Sequence, residues 1–164
     1  MQTSNNDCVF VRVLGFPQKF LASLPAGSTS LYAKEVLLRT EQGEFMGFVN
    51  SFPFTGAEDA YPAKVVREVE PQDRERSQKI EKKSLDLREE IRDLVNELDL
   101  EMKITHVQLS LDESMATVFY TAPHRVDFRD LVKRLRERYS FKTTLKQISQ
   151  EEREACFHVD PRIM

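Results

Sequence analysis

Tyr120-Thr121-Ala122-Pro123-His124-Arg125-Val126-Asp127-Phe128-Arg129-Asp130-Leu131-Val132-Lys133 decides the fold of this chain. A run of period two stops at Pro123, which has no amide hydrogen to give a strand ladder, and an apolar stripe of helical period starts after Asp127. A strand therefore hands over to a helix. Asp127 is expected as its N-cap, with Asp130 near the positive end of the helix dipole. Phe128, Leu131, Val132 and Leu135 make one apolar face for that helix.

Working upstream, Lys103 to Leu111 and Met115 to Thr121 alternate on either side of Asp112-Glu113-Ser114, which predicts an antiparallel hairpin. Strict alternation places Thr105, Val107, Leu109 and Leu111 on one face, with Ile104, His106 and Gln108 on the other. Downstream, Phe141 to Ile148 reads as a further strand. The result is a helix–strand–strand–helix–strand unit whose two helices are free to cover one side of a three-stranded, antiparallel-rich sheet.

The first helix of that unit is long, since no Gly or Pro occurs from Gln72 to Leu98 and charge is dense. Ile80, Ser84, Leu87, Ile91, Leu94 and Leu98 fall at alternating steps of four and three, with Val95 beside them. Such a seam suits a partner helix or a second copy of the chain. It equally suits an amphipathic helix lying on its own sheet, and too few heptads are filled to favour the coiled coil.

Before the helix the pattern is all-β. Val9, Val11 and Val13 alternate with Phe10, Arg12 and Leu14, and Glu35–Thr40 and Glu44–Asn50 flank Glu41-Gln42-Gly43, a three-residue hairpin connection with Gly43 at positive φ. Phe10, Phe16, Phe20, Phe45, Phe48 and Phe52 are available to fill a small curled sheet or barrel, and Ala63 to Val69 adds another strand. The class is α+β: a small β-barrel-like module over 1–70, a long charged helix over 71–99, an α+β domain over 100–148 and an acidic tail over 149–164.

Charge and ligand chemistry bound the function. The net charge of −3 gives no global case for a nucleic-acid partner. The stretch from Pro123 to Lys146 nevertheless carries eight basic residues against three acidic ones. Arg129, Lys133 and Arg136 share a helical face there, and with Lys142 they are candidates for contact with RNA phosphates through the basic helix 127–139. A solvated helix back is the plainer reading. Tyr120 and Tyr139 could stack on bases only if they face outward. No run is long and apolar enough for a membrane helix, and the N-terminus lacks the pattern of a signal peptide, so a cytoplasmic protein is expected. His106, His124 and His158 have no nucleophile or carboxylate at a catalytic spacing, His106 reading as a surface strand residue, and no enzyme is expected.

Several spaced blocks together resemble a known family. Leu100-Glu101-Met102-Lys103-Ile104, Ser114 to Ala122, Arg125 to Lys133 and Leu145-Lys146-Gln147-Ile148 are similar, in order and spacing, to the C-terminal domain of the polymerase-suppressor (PSP) family, whose bacterial members are the YaaT/RicT-like proteins. The similarity is strongest from Leu98 to Ile148. It implies a non-enzymatic adaptor that joins small helical partner proteins and steers a ribonuclease, RNase Y, in RNA processing. Direct RNA binding and a helix-mediated homodimer are the alternatives.

RicT-like proteins continue into a cysteine-rich segment that ligates an iron–sulfur cluster, which takes about four thiolates. Here the tail offers Cys156 and His158, and the remaining cysteine, Cys8, is far away in sequence. No cofactor is expected. Cys156, His158 and Asp160 alternate on one face of an extended segment and are weak candidates for a labile metal; a frayed acidic tail with incidental ligand types is the simpler expectation.

Overall fold

A computed structural model describes residues 7–25, 28, 31–55 and 61–157. Residues 1–6, 26–27, 29–30, 56–60 and 158–164, with His158 and Asp160 among them, lie outside the described residues. The chain divides into two compact units, one of residues 1–74 and 154–164, the other of residues 75–153.

In the first unit, β1 (Asp7–Arg12), β2 (Lys19–Ser23), β3 (Glu35–Thr40), β4 (Gly43–Val49) and β6 (Ala63–Glu68) form a closed five-stranded barrel in the order β2-β6-β3-β4-β1, with β1 pairing back onto β2. The two-residue strand β5 (Phe54–Thr55) pairs with the start of β1. Alternation along β1 puts Val9 and Val11 inside, so Phe10 points out at 36% exposure and Phe52 stands at 67%. Only Phe16, Phe20 and Phe45 of the expected aromatics are buried, packed edge to face at 5.3 and 5.0 Å. The β3–β4 connection is shorter than expected. Thr40 pairs directly with Gly43, which leaves a two-residue loop, and Gly43 takes φ 117° as the sequence requires.

The long helix α1 (Pro71–Glu97) begins with Pro71, where a missing amide costs nothing. Asp73 accepts from the Glu70 amide at 2.8 Å and from both ends of the Arg67 guanidinium at 2.6 and 3.1 Å, which ties the helix start to β6. Its end is a Schellman turn. Asp99 adopts φ 52° and the Leu100 amide donates to Val95 across 3.1 Å, an aspartate here filling the left-handed position usually given to glycine.

The second unit continues with β7 (Lys103–Leu109), β8 (Met115–Thr121), α2 (Arg129–Arg138) and β9 (Lys142–Gln147). The sheet order is β7-β8-β9, antiparallel in the first pair and parallel in the second. Both helices lie on one side, because Tyr139 Oη donates to Glu90 at 2.9 Å and Arg134 reaches Glu97 at 3.4 Å, while Tyr120 of β8 meets Phe128 at 6.1 Å. One expectation about the faces fails. A bulge between Ile104 and His106 inserts Thr105, so Ile104 joins Val107 and Leu109 on the helix side. His106 is not a surface residue: it is buried, its ring stacked on Phe119 at 4.5 Å and its Nδ1 2.9 Å from the Thr105 hydroxyl.

The acidic segment is not frayed up to Phe157. Ser149 and Glu152 form a reciprocal capping box, amide to carboxylate at 3.2 Å and amide to hydroxyl at 3.1 Å, and α3 (Gln150–Phe157) follows. Its last turn belongs to the first unit: Arg12 donates to the Ala155 carbonyl, and the Gly15 amide donates to Cys156 at 2.9 Å.

Candidate functional site

The helix α2 is seated by Leu131 and Leu135, which are fully buried, whereas Phe128 and Val132 of the same expected face are only half-buried. Phe128 occupies the N-cap position with no side-chain cap, so Asp127 stands one residue too early for that role. Asp127 instead accepts from the Arg129 amide at 3.2 Å and holds the Arg129 guanidinium through contacts of 2.7 to 3.2 Å. The hydrogen bonds from Arg129 hold the Asp127 carboxyl below its ordinary range, and Arg129 is raised in turn. Arg125, the other neighbour of Asp127, is exposed and takes no part in this pair.

One flank of α2 is an open cleft of about 460 Å³ lined by Phe128, Arg129, Val132, Lys133, Arg136 and Glu137. Arg129, Lys133 and Arg136 are thus brought together as the helical spacing predicts, but with unequal freedom. Arg129 is engaged by Asp127, while Lys133 and Arg136 are exposed and have no acidic partner among the described residues. Lys142 is exposed at the start of β9 and does not line the cleft. The apolar floor of Phe128 and Val132 was hidden from sequence reasoning, which assigns both to the core. Their i, i+4 spacing on the Arg136 flank is the signal that could have revealed it.

Neither tyrosine offers a stacking platform. Tyr120 is buried, and Tyr139 is half-buried, stacked on Phe141 at 4.8 Å and bonded to Glu90, with burial and that bond pushing its hydroxyl up to about 12. The helix seam is likewise occupied. Ile80, Leu87, Ile91 and Leu94 are buried and Leu98 half-buried, so a second helix would have to displace the chain's own packing. Cys156 is buried in α3 and has no cluster of metal-ligating side chains around it among the described residues.

On the barrel, Phe10 packs on Phe54 at 5.5 Å and Tyr32 stacks on Phe52 at 4.3 Å, all four remaining exposed. No described helix is long and apolar enough to cross a membrane.

The profile of the PSP1 C-terminal conserved region matches residues 63–148, from the last barrel strand through α1, the hairpin and α2 to the end of β9. The chain belongs to this family. The conserved region begins well upstream of the blocks quoted above, so it takes in β6 and the whole of the long helix. No curated protein and no solved structure matches the chain.

Proposed function

We propose that this chain is a non-enzymatic, cytoplasmic regulatory adaptor that acts through protein contacts, bringing small helical proteins to a ribonuclease of the RNase Y kind and so steering RNA processing. Membership of the PSP1 family over residues 63–148 is the observation that carries the reading. Two surfaces serve it: the exposed aromatic pairs of the barrel and the open flank of α2. Affinity capture of the tagged chain from its native cell, followed by mass spectrometry, tests the reading: small helical proteins recovered together with a nuclease support it, and recovery of neither defeats it.

A second reading is direct RNA contact, favoured by the exposure of Lys133, Arg136 and Lys142 without acidic partners among the described residues. Counterion release makes such binding steeply salt-dependent. Replacing these three residues with glutamine flattens that dependence if the reading holds; identical salt slopes for both proteins would refute it.

A further inference from the structure

The flank of α2 that carries the cleft is the one turned away from α1. On a helix of about 3.6 residues per turn, Arg136 and Val132 point away from Arg134, which faces α1 through Glu97. The helix α1 lies along β7, where Arg92 donates to the Ile104 carbonyl at 3.0 and 3.2 Å and the Leu109 amide donates to Ser84 Oγ at 3.3 Å. The flank away from α1 therefore overlooks the opposite side of the sheet, where β9 pairs with β8 alone among the described strands.

The orientation of the β9 backbone follows from two bonds. The Lys142 amide donates to Ser114 at 3.0 Å and the Ile148 amide to Tyr120 at 2.9 Å, so the even-numbered residues face β8. By the two-residue period of a strand, the amides and carbonyls of Thr143, Leu145 and Gln147 point outward. Their side chains share the helix-facing side with Val118 and Tyr120, while Lys142, Thr144 and Lys146 share the other.

We propose that an extended segment of a partner protein, alternating acidic and apolar residues, adds as a fourth strand to β9 alongside α2. Its acidic residues lie opposite Lys142 and Lys146. Its apolar residues rest on Leu145 and the Phe128–Val132 floor, with Lys133 and Arg136 beyond. Three observations select this occupant. A second copy pairing antiparallel about Thr144 would set Lys142 opposite Lys146, a like-charge pair that destabilises the ladder. RNA has no strand backbone to satisfy the outward amides, and Glu137 at the rim together with the Asp127-bound Arg129 weakens the flank as a phosphate track. An acidic strand meets both the open edge and the free cations.

The inference rests on the adaptor reading, whose mode of contact it specifies. The test is fluorescence anisotropy of the full chain with a labelled peptide of alternating glutamate and valine, a lysine–valine counterpart, and a ten-residue oligouridylate. Binding of the glutamate peptide over the lysine peptide is expected. Thr143→Pro removes an outward amide without touching the β8 ladder and should weaken binding at least about tenfold. The pair K142E/K146E should weaken it about tenfold and transfer preference to the lysine peptide, and it decides the matter should Thr143→Pro perturb the fold. No binding of the glutamate peptide up to about 1 mM overturns the proposal, as does equal binding by both variants. Oligouridylate binding that displaces the peptide and survives Thr143→Pro assigns the surface to RNA and also overturns it. If native chain and variants capture the same helical proteins and nuclease from the cell, the adaptor reading stands and strand addition falls. If the peptide binds as expected and the chain captures nothing, the adaptor reading alone falls.

Discussion

The strands β7 and β9 are the two edges of one three-stranded sheet, and the chain treats them differently. Along β7, α1 supplies Ser84 and Arg92 to backbone groups at an edge that no further described strand pairs, and Leu87, Ile91 and Leu94 of α1 are buried. Along β9 no described element takes that role, every strand residue retains some exposure, and the neighbouring helix flank carries free cations over a half-buried apolar floor. An edge strand is a template for pairing, and lysines on it discourage self-association. The same sheet thus has one edge engaged by its own helix and one that pairs with no further described strand.

The largest break in this contrast comes from the closed side. Ile91→Ala removes a fully buried side chain and should lower stability by about 2–5 kcal/mol, read from the urea midpoint, while Val132→Ala on the half-exposed flank should cost much less. Next, proline at adjacent positions of β9 should give opposite results. Thr144→Pro deletes an amide aimed at β8 and should cost about 1–3 kcal/mol; Thr143→Pro, with its amide outward, should leave the midpoint within about 0.5 kcal/mol. Equal effects would mean that the outward edge is not free.

Tyr139→Phe removes the bond to Glu90 that joins the two helices and should cost about 1 kcal/mol at neutral pH. The tyrosine is held at about 12, above its ordinary value of roughly 10, so its contribution is complete below pH 10 and lost as pH rises through 12. The native protein should therefore weaken across that window by an increment that Tyr139→Phe abolishes in alkaline unfolding curves. Smallest of all, Lys133→Gln and Arg136→Gln, exposed and without an acidic partner among the described residues, should each change stability by less than about 0.5 kcal/mol while altering ligand binding. A large loss would show that they support the fold instead.

Much of this architecture is legible in local pattern. Pro123 stops β8, the alternation around Asp112-Glu113-Ser114 gives the hairpin, and the absence of Gly and Pro marks α1. The misses on β7 share one cause. Thr105 enters as a bulge because β7 must keep Ile104 as well as Val107 under the helices, a demand that local alternation cannot express. His106 is buried by packing that its polarity does not announce. Ser149 and Glu152 carry the local spacing of a capping box, which starts α3 within a segment whose charge otherwise suggests a solvated tail. At the candidate site, the spacing of Arg129, Lys133 and Arg136 was correct, and what escaped was the Asp127 bond that engages only the first of them.

By itself the sequence determined the order and type of the elements and the concentration of positive charge after Pro123, because periodicity, turn residues and charge act over a few neighbouring positions. Only the tertiary structure decided which apolar stripe is consumed and which stays open. The α1 seam and the α2 face look alike in sequence, yet α1 buries its stripe, while α2 rests on Leu131 and Leu135 and leaves Phe128 and Val132 half-buried in an open cleft. Burial depends on what lies across the sheet, and residues distant along the chain supply it.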